Sequence, residues 1–126
     1  FEQELAARLL TAGVAQLVSA RRADGLWPHY QDAARPSVGV TALVGRALAR
    51  LEPELDPAAK EALAGARQAL LAAQLADGGV GDAREPVPHR IYATSLAVLA
   101  LRGDPRAADA RARMARFLTG AQVGEA

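Results

Sequence analysis

Cysteine is absent from the 126 residues. That excludes disulfides and thiolate-ligated metal, and it leaves the redox compartment open. Aromatics make up only 4% of the chain, so the core is not built on ring packing. Neither charge sign dominates: 15 basic residues stand against 14 acidic ones, for a net charge of +1. This balance gives no electrostatic footprint for nucleic acid or an anionic membrane. No apolar run approaches the ~20 residues of a transmembrane segment, and no signal peptide is found. A soluble, cytoplasmic chain is the expectation. It begins at Phe1 and not Met, as expected of a processed protein, a fragment or part of a longer chain. No stretch alternates as a half-buried strand would.

What the chain does have is Ala, Leu, Val and Arg. Apolar residues reach 51%, and this mixture favours helix. The length is that of one domain, residues 1–126, able to bury roughly two thirds of its unfolded surface. Five helices are predicted. The first covers about 2–20, with Leu5, Leu9, Leu10, Val14, Leu17 and Val18 at helical spacing. The second opens at Ser37, a good N-cap, and runs to Leu51. Asp56-Pro57 starts the third, which runs to about Leu75, and Asp104-Pro105 starts the fifth, about 105–121. The fourth covers about 89–102. The first, third and fifth are amphipathic, with polar faces expected to carry Glu61, Arg67, Arg111 and Arg113. The second and fourth are apolar nearly all round, as helices buried between neighbours are. The fold class is therefore all-α, in the order outer, inner, outer, inner, outer.

An internal repeat underlies this order. Asp24-Gly25 recurs 53 residues later as Asp77-Gly78, and at the same offset Thr41 matches Thr94 and Leu43 matches Leu96. Leu118, Ala121 and Gln122 follow Leu70, Ala73 and Gln74 by 48 residues. The units are about 2–51, 57–102 and a half unit at 105–126. Periods near 50 mark arrays that bury their faces by stacking. The fifth helix lacks an inner partner, so a protein partner or further residues of the same chain are expected to cover 105–126.

The segments "ALLAAQLADGGVG" (69–81) with "IYATSLAVLAL" (91–101), "LVSARRADGLW" (17–27) with "VGVTALVGRAL" (38–48), and "FLTGAQ" (117–122) carry a resemblance. They resemble the prenyltransferase/squalene-cyclase repeat, which implies an α/α toroid of antiparallel helix pairs. The resemblance also implies structural roles for Gln74 and Gln122 and an aromatic near Trp27. The second copy has Val80 where that aromatic is usual, and the first has Arg21 in the Gln position. An isoprenoid or lipid is the ligand class implied. The catalytic features do not carry over, because no two acidic residues are adjacent and no cysteine is present.

Few residues suggest chemistry. "GGVGDA" (78–83) is not a dinucleotide or P-loop motif, because no strand precedes it and no Lys-Ser or Lys-Thr follows. It reads as a helix stop and a turn. His29 and His89, with Asp32 and Asp82 nearby in sequence, are the conceivable metal ligands, but their spacing matches no metal motif. His89, with Arg90 and Tyr92 after it, is a candidate for a pocket mouth, Trp27, Tyr30 and Tyr92 for stacking on an isoprenoid or for loop anchoring, and Asp82 for a pocket or interface. Asp24, Asp77, Thr41 and Thr94 read as structural repeat residues. Thr hydroxyls there would bond a carbonyl one turn back. Arg111, Arg113 and Arg116 read as a solvated face balanced by Asp104 and Asp109. No catalytic residue, cofactor or metal is assigned. The expected function is a non-catalytic helical-repeat scaffold. The alternative is part of an isoprenoid enzyme whose catalytic motif lies outside this chain.

Overall fold

The computed structural model describes residues 1–124, with side chains as far as Ala121. Five helices carry the fold: α1 (Glu2–Ser19), α2 (Val38–Arg50), α3 (Pro57–Ala72), α4 (Val87–Ala100) and α5 (Ala108–Gly124). The architecture is all-α, as the sequence predicts. One small departure is a two-residue antiparallel ladder, β1 (Trp27–Pro28) with β2 (Pro36–Ser37), which closes the first loop. Strands that short leave no alternation to read.

The helix starts follow their capping chemistry. The Ser37 hydroxyl accepts from the Val40 N–H at 3.0 Å, and the Asp56 carboxylate accepts from the Ala59 N–H at 2.8 Å. Each satisfies a backbone donor that the first turn leaves free. Asp104-Pro105 opens a 3₁₀ turn over Pro105–Ala107, and α5 begins only at Ala108. The start of α4 differs from the prediction. Pro86 and Pro88 sit in its cap and first turn, where a missing N–H costs no helical bond, so the helix begins at Val87 and includes His89.

Packing gives the predicted layers. The helices α2 and α4 lie against each other, α3 packs on α2, α5 on α4, and α1 on α3. Gly45 sets the closeness of the inner pair: a Cβ there would lie 3.1 Å from that of Ala100. One core cluster joins α2, α3, α4 and α5 through Ala42, Leu70, Leu96, Leu101 and Met114, with Val80 of the second loop. The other joins the first loop, α2 and α3 through Trp27, Val44, Leu48 and Leu63, with Val14, Leu17 and Val18 of α1 against its edge. Full burial of one such leucine stabilises by about 1.5–3 kcal/mol.

Two expectations about faces are corrected. The inner helices are not covered all round, because Leu43, Tyr92 and Leu99 stand exposed. Arg67 is not on a solvated face. It is buried, its Nε donating to the Ala100 carbonyl at 2.9 Å and its fork gripping Glu52 at 3.0 and 3.2 Å. It lies four residues after Leu63 and three before Leu70, on the apolar stripe itself. On α1 every residue from Phe1 to Gly13 is exposed, including Leu5, Leu9 and Leu10. On α5, by contrast, Met114 is buried and Phe117 and Leu118 are half-buried.

Candidate functional site

The two loops that join outer to inner helices, about 20–37 and 73–86, are built alike. In the first, Gly25 donates to the Arg22 carbonyl and Arg22 to the Leu26 carbonyl, at 3.0 and 2.8 Å. In the second, Gly78 donates to Leu75 and Leu75 to Gly79, at 2.9 and 2.7 Å. Gly25 and Gly78 both take positive φ, at 85° and 95°, where a side chain is strained. The Asp24 carboxylate accepts from the Leu26 N–H at 3.0 Å, and Asp77 accepts from Gly79 at the same distance. The Thr41 hydroxyl accepts from the Trp27 N–H at 2.9 Å, and Thr94 accepts from Val80 at 3.0 Å. Thr41 also donates one turn back to the Ser37 carbonyl, at 2.7 Å.

This wiring decides what the glycine run can do. A phosphate cradle needs free backbone N–H groups. Here the N–H groups of Gly78, Gly79 and Val80 already have acceptors in Leu75, Asp77 and Thr94. The glycines serve close approach instead. A Cβ on Gly78 would collide with the Arg113 carbonyl, and one on Gly79 would meet Arg90 and Phe117 at 2.9 and 3.0 Å. Gln74 completes the docking onto α5: its amide nitrogen donates to the carbonyls of Gly78 and Ala110, each at 2.9 Å, and its oxygen accepts from Arg113 at 3.3 Å. It therefore reaches α5 through the Ala110 carbonyl. The side chain of Gln122 lies outside the described residues.

The candidates for chemistry do not converge. Trp27 is 2% exposed, and its indole donates to the Leu17 carbonyl at 2.9 Å. It anchors the loop and presents no ring to a ligand. His29 accepts from the Gln31 N–H at 3.1 Å and stacks on Tyr30, whereas His89 is exposed in the first turn of α4. Among the described residues no group of three His, Cys, Asp or Glu could hold a metal ion. Asp82 is gripped by Arg84 within its own turn, and that guanidinium, aided by the Arg84 N–H, holds its carboxyl down at about 2. Tyr92 is exposed on α4. Arg113 bonds Gln74, and Asp104 is paired with Arg106, so the expected α5 charge cluster is only partly a solvated face.

Two features escape a sequence reading. Arg90 is buried, bonds Asp77 at 2.7 Å and lies 4.9 Å over the Phe117 ring. Its hydrogen bond holds the Asp77 carboxyl below the ordinary value, aided by the Gly79 N–H. The signal was its place four residues before Thr94, on the buried stripe. The second feature is a cleft of about 360 Å³ at the C-terminal ends of α2 and α4, lined by Arg46, Ala49, Arg50, Leu99 and Arg102. Its residues come from two separate repeat units, so no single motif announces it.

No protein-family model matches the chain, and neither the curated proteins nor the solved structures give a significant match. Among the described residues no helix is long and apolar enough to cross a membrane.

Proposed function

We propose that this chain is a non-catalytic helical-repeat scaffold in which α1 receives a further helix. One observation carries the reading. Leu9 is 65% exposed and Leu10 is also exposed, yet their counterparts 53 residues on, Ala62 and Leu63, are fully buried against the inner layer. On α3 that face is covered by α2. On α1 the equivalent apolar stripe has nothing over it among the described residues. Burial of such a stripe is what drives association of helical repeats. The covering helix would be apolar and small-residue rich, like α2, supplied by a protein partner or by further residues of the same polypeptide. An α/α toroid-like arc and kinship to the prenyltransferase/squalene-cyclase repeat belong to this proposal. The parallel wiring of the two loops supports the repeat on which both rest.

The test is site-specific photo-crosslinking in the native cell, with the reactive residue at position 9 and a control at exposed Ala64. Capture of a helical segment at position 9 and not at position 64 supports the scaffold. No capture at position 9, or equal capture at both, overturns it.

A second reading, part of an isoprenoid enzyme, draws on the exposed Leu43, Tyr92 and Leu99 of the inner helices. They would form an apolar wall for an isoprenoid or lipid chain, with the catalytic motif elsewhere. Isoprenoid or lipid in an organic extract of the purified protein favours this reading, and a clean extract removes it.

A further inference from the structure

We propose that the cleft between the second loop and the C-terminal half of α5 binds a small apolar carboxylate. The cleft holds about 450 Å³. Its charged lining is Asp77, Arg90 and Arg116, and its apolar lining includes Val87, Phe117 and Ala121. Gly120 leaves the wall open, since a Cβ there would meet nothing within 4 Å.

The Arg90 guanidinium is only partly answered by the protein. Its side chain is 7% exposed, and Asp77 takes one of its nitrogens, Nη2, at 2.7 Å. Its Nε is buried without a hydrogen-bond partner. Buried donors are normally paired, and one left over is costly until an acceptor reaches it. Glu85 does not serve, because its Oε1 accepts from the Asp82 N–H. Among the described residues Arg116 forms no ion pair. Two guanidinium groups against one carboxylate leave the cleft with one positive charge in excess.

This arginine is not part of the repeat. At the offset of 53, Arg90 corresponds to Ser37 and Gly79 to Leu26; at the offset of 48, Phe117 corresponds to Ala69. The three departures fit one another. Arg90 lies 4.9 Å over the Phe117 ring, and a Cβ at residue 79 would sit 2.9 Å from Arg90 and 3.0 Å from Phe117. The first loop satisfies its aspartate without any of them, because Asp24 pairs with Arg22 of the same turn. The loop design therefore does not require a buried arginine, yet the second unit has one beside a cleft.

A monocarboxylate matches both parts of the lining. Its charge meets the one excess positive charge, and its two oxygens suit the planar fork of a guanidinium. An apolar group attached to it would leave water against Val87, Phe117 and Ala121. None of the lining residues lies on α1, so the site does not depend on the role proposed for that helix.

The experiment is a titration of the full chain with phenylacetate and with hexanoate, followed by the arginine side-chain Nε–H signals in NMR. Saturable shifts at Arg90 and Arg116 are expected, without matching shifts at exposed Arg8. Whichever probe binds tighter assigns the apolar group as aromatic or aliphatic. Acetate should bind about tenfold more weakly or worse, because it brings little apolar surface. Arg116→Gln should weaken binding about threefold, as loss of an exposed charge contact does. Gly120→Leu should fill the cleft and abolish saturable binding. Both positions are exposed on α5, and leucine is the better helix former, so both variants should keep the fold. Linear shifts shared with Arg8, equal affinity for acetate, equal affinity for the uncharged phenylacetamide, or unchanged binding in Gly120→Leu would each overturn the proposal.

Discussion

The hydroxyl of Thr94, on α4, accepts the backbone N–H of Val80 at 3.0 Å, both groups being fully buried. The bond from Trp27 to Thr41 repeats it 53 residues earlier. A side chain on each inner helix thus fixes the end of the loop before it. Thr94→Val keeps the shape but removes the acceptor, leaving a buried N–H without a partner. It should cost about 1–3 kcal/mol, and Thr94→Ser should recover part of that. Urea unfolding of the three proteins checks this, and equal midpoints for Val and Ser would show that the bond contributes nothing.

Leu96 and Leu99 separate the two faces of α4. Leu96 is 7% exposed and packs in the core, whereas Leu99 is 40% exposed. Leu96→Ala should cost about 2–5 kcal/mol. Leu99→Ala should cost less than about 1 kcal/mol. Thermal unfolding ranks the pair, and a Leu96→Ala loss as small as that of Leu99→Ala would mean the inner face is misassigned.

Gly78 and Gly103 share a positive φ, at 95° and 88°, but not their surroundings. A Cβ at Gly103 meets nothing within 4 Å, while one at Gly78 strikes the Arg113 carbonyl. Gly103→Ala should cost only the backbone strain, about 1–2 kcal/mol. Gly78→Ala should cost clearly more, because the second loop must also lift off α5. Denaturant midpoints would expose the difference, and equal losses would show that the loop is not seated there.

The Asp77 carboxyl is held below the ordinary aspartate value of 3.8 by the Arg90 guanidinium and the Gly79 N–H. A depressed carboxylate contributes stability that is fully present above its unfolded value. That contribution is lost as pH falls below about 3.8 and through the lower folded value. Asp77→Asn should therefore be less stable than the native chain at pH 7, with the gap narrowing below about pH 4. A gap that stays constant to pH 2.5 would show that the charge of Asp77 is not what matters. Asp82, held down at about 2 by Arg84, is exposed, and its pairing should add little.

The five helices, their caps at Ser37 and Asp56, and the inner–outer order are legible because each rests on local chemistry or on a stripe within one segment. Burial of Arg67 and Arg90 is harder to see. An arginine on a helical wheel reads as solvated until its partners are known, and those partners lie outside its own helix: Glu52 and the α4 carbonyls for Arg67, Asp77 and Phe117 for Arg90. Position on the stripe was the available clue in both cases. The exposure of Leu9 and Leu10 was hidden for the opposite reason, because a sequence shows an apolar face but not the neighbour that covers it. The arginine cleft needs the ends of two helices brought together, which no spacing along the chain encodes.

The glycine loops give the molecule a polarity. Gly25 sits against Gly65 of α3, and Gly78 sits against Arg113 of α5, two contact points 48 residues apart. Each loop rests on the helix ahead of it. Removing α5 therefore unseats the second loop, whereas trimming the first turns of α1 leaves both seated. Loss of an outer helix should then be felt first by the loop behind it, as in a row of tiles where each overlaps the next.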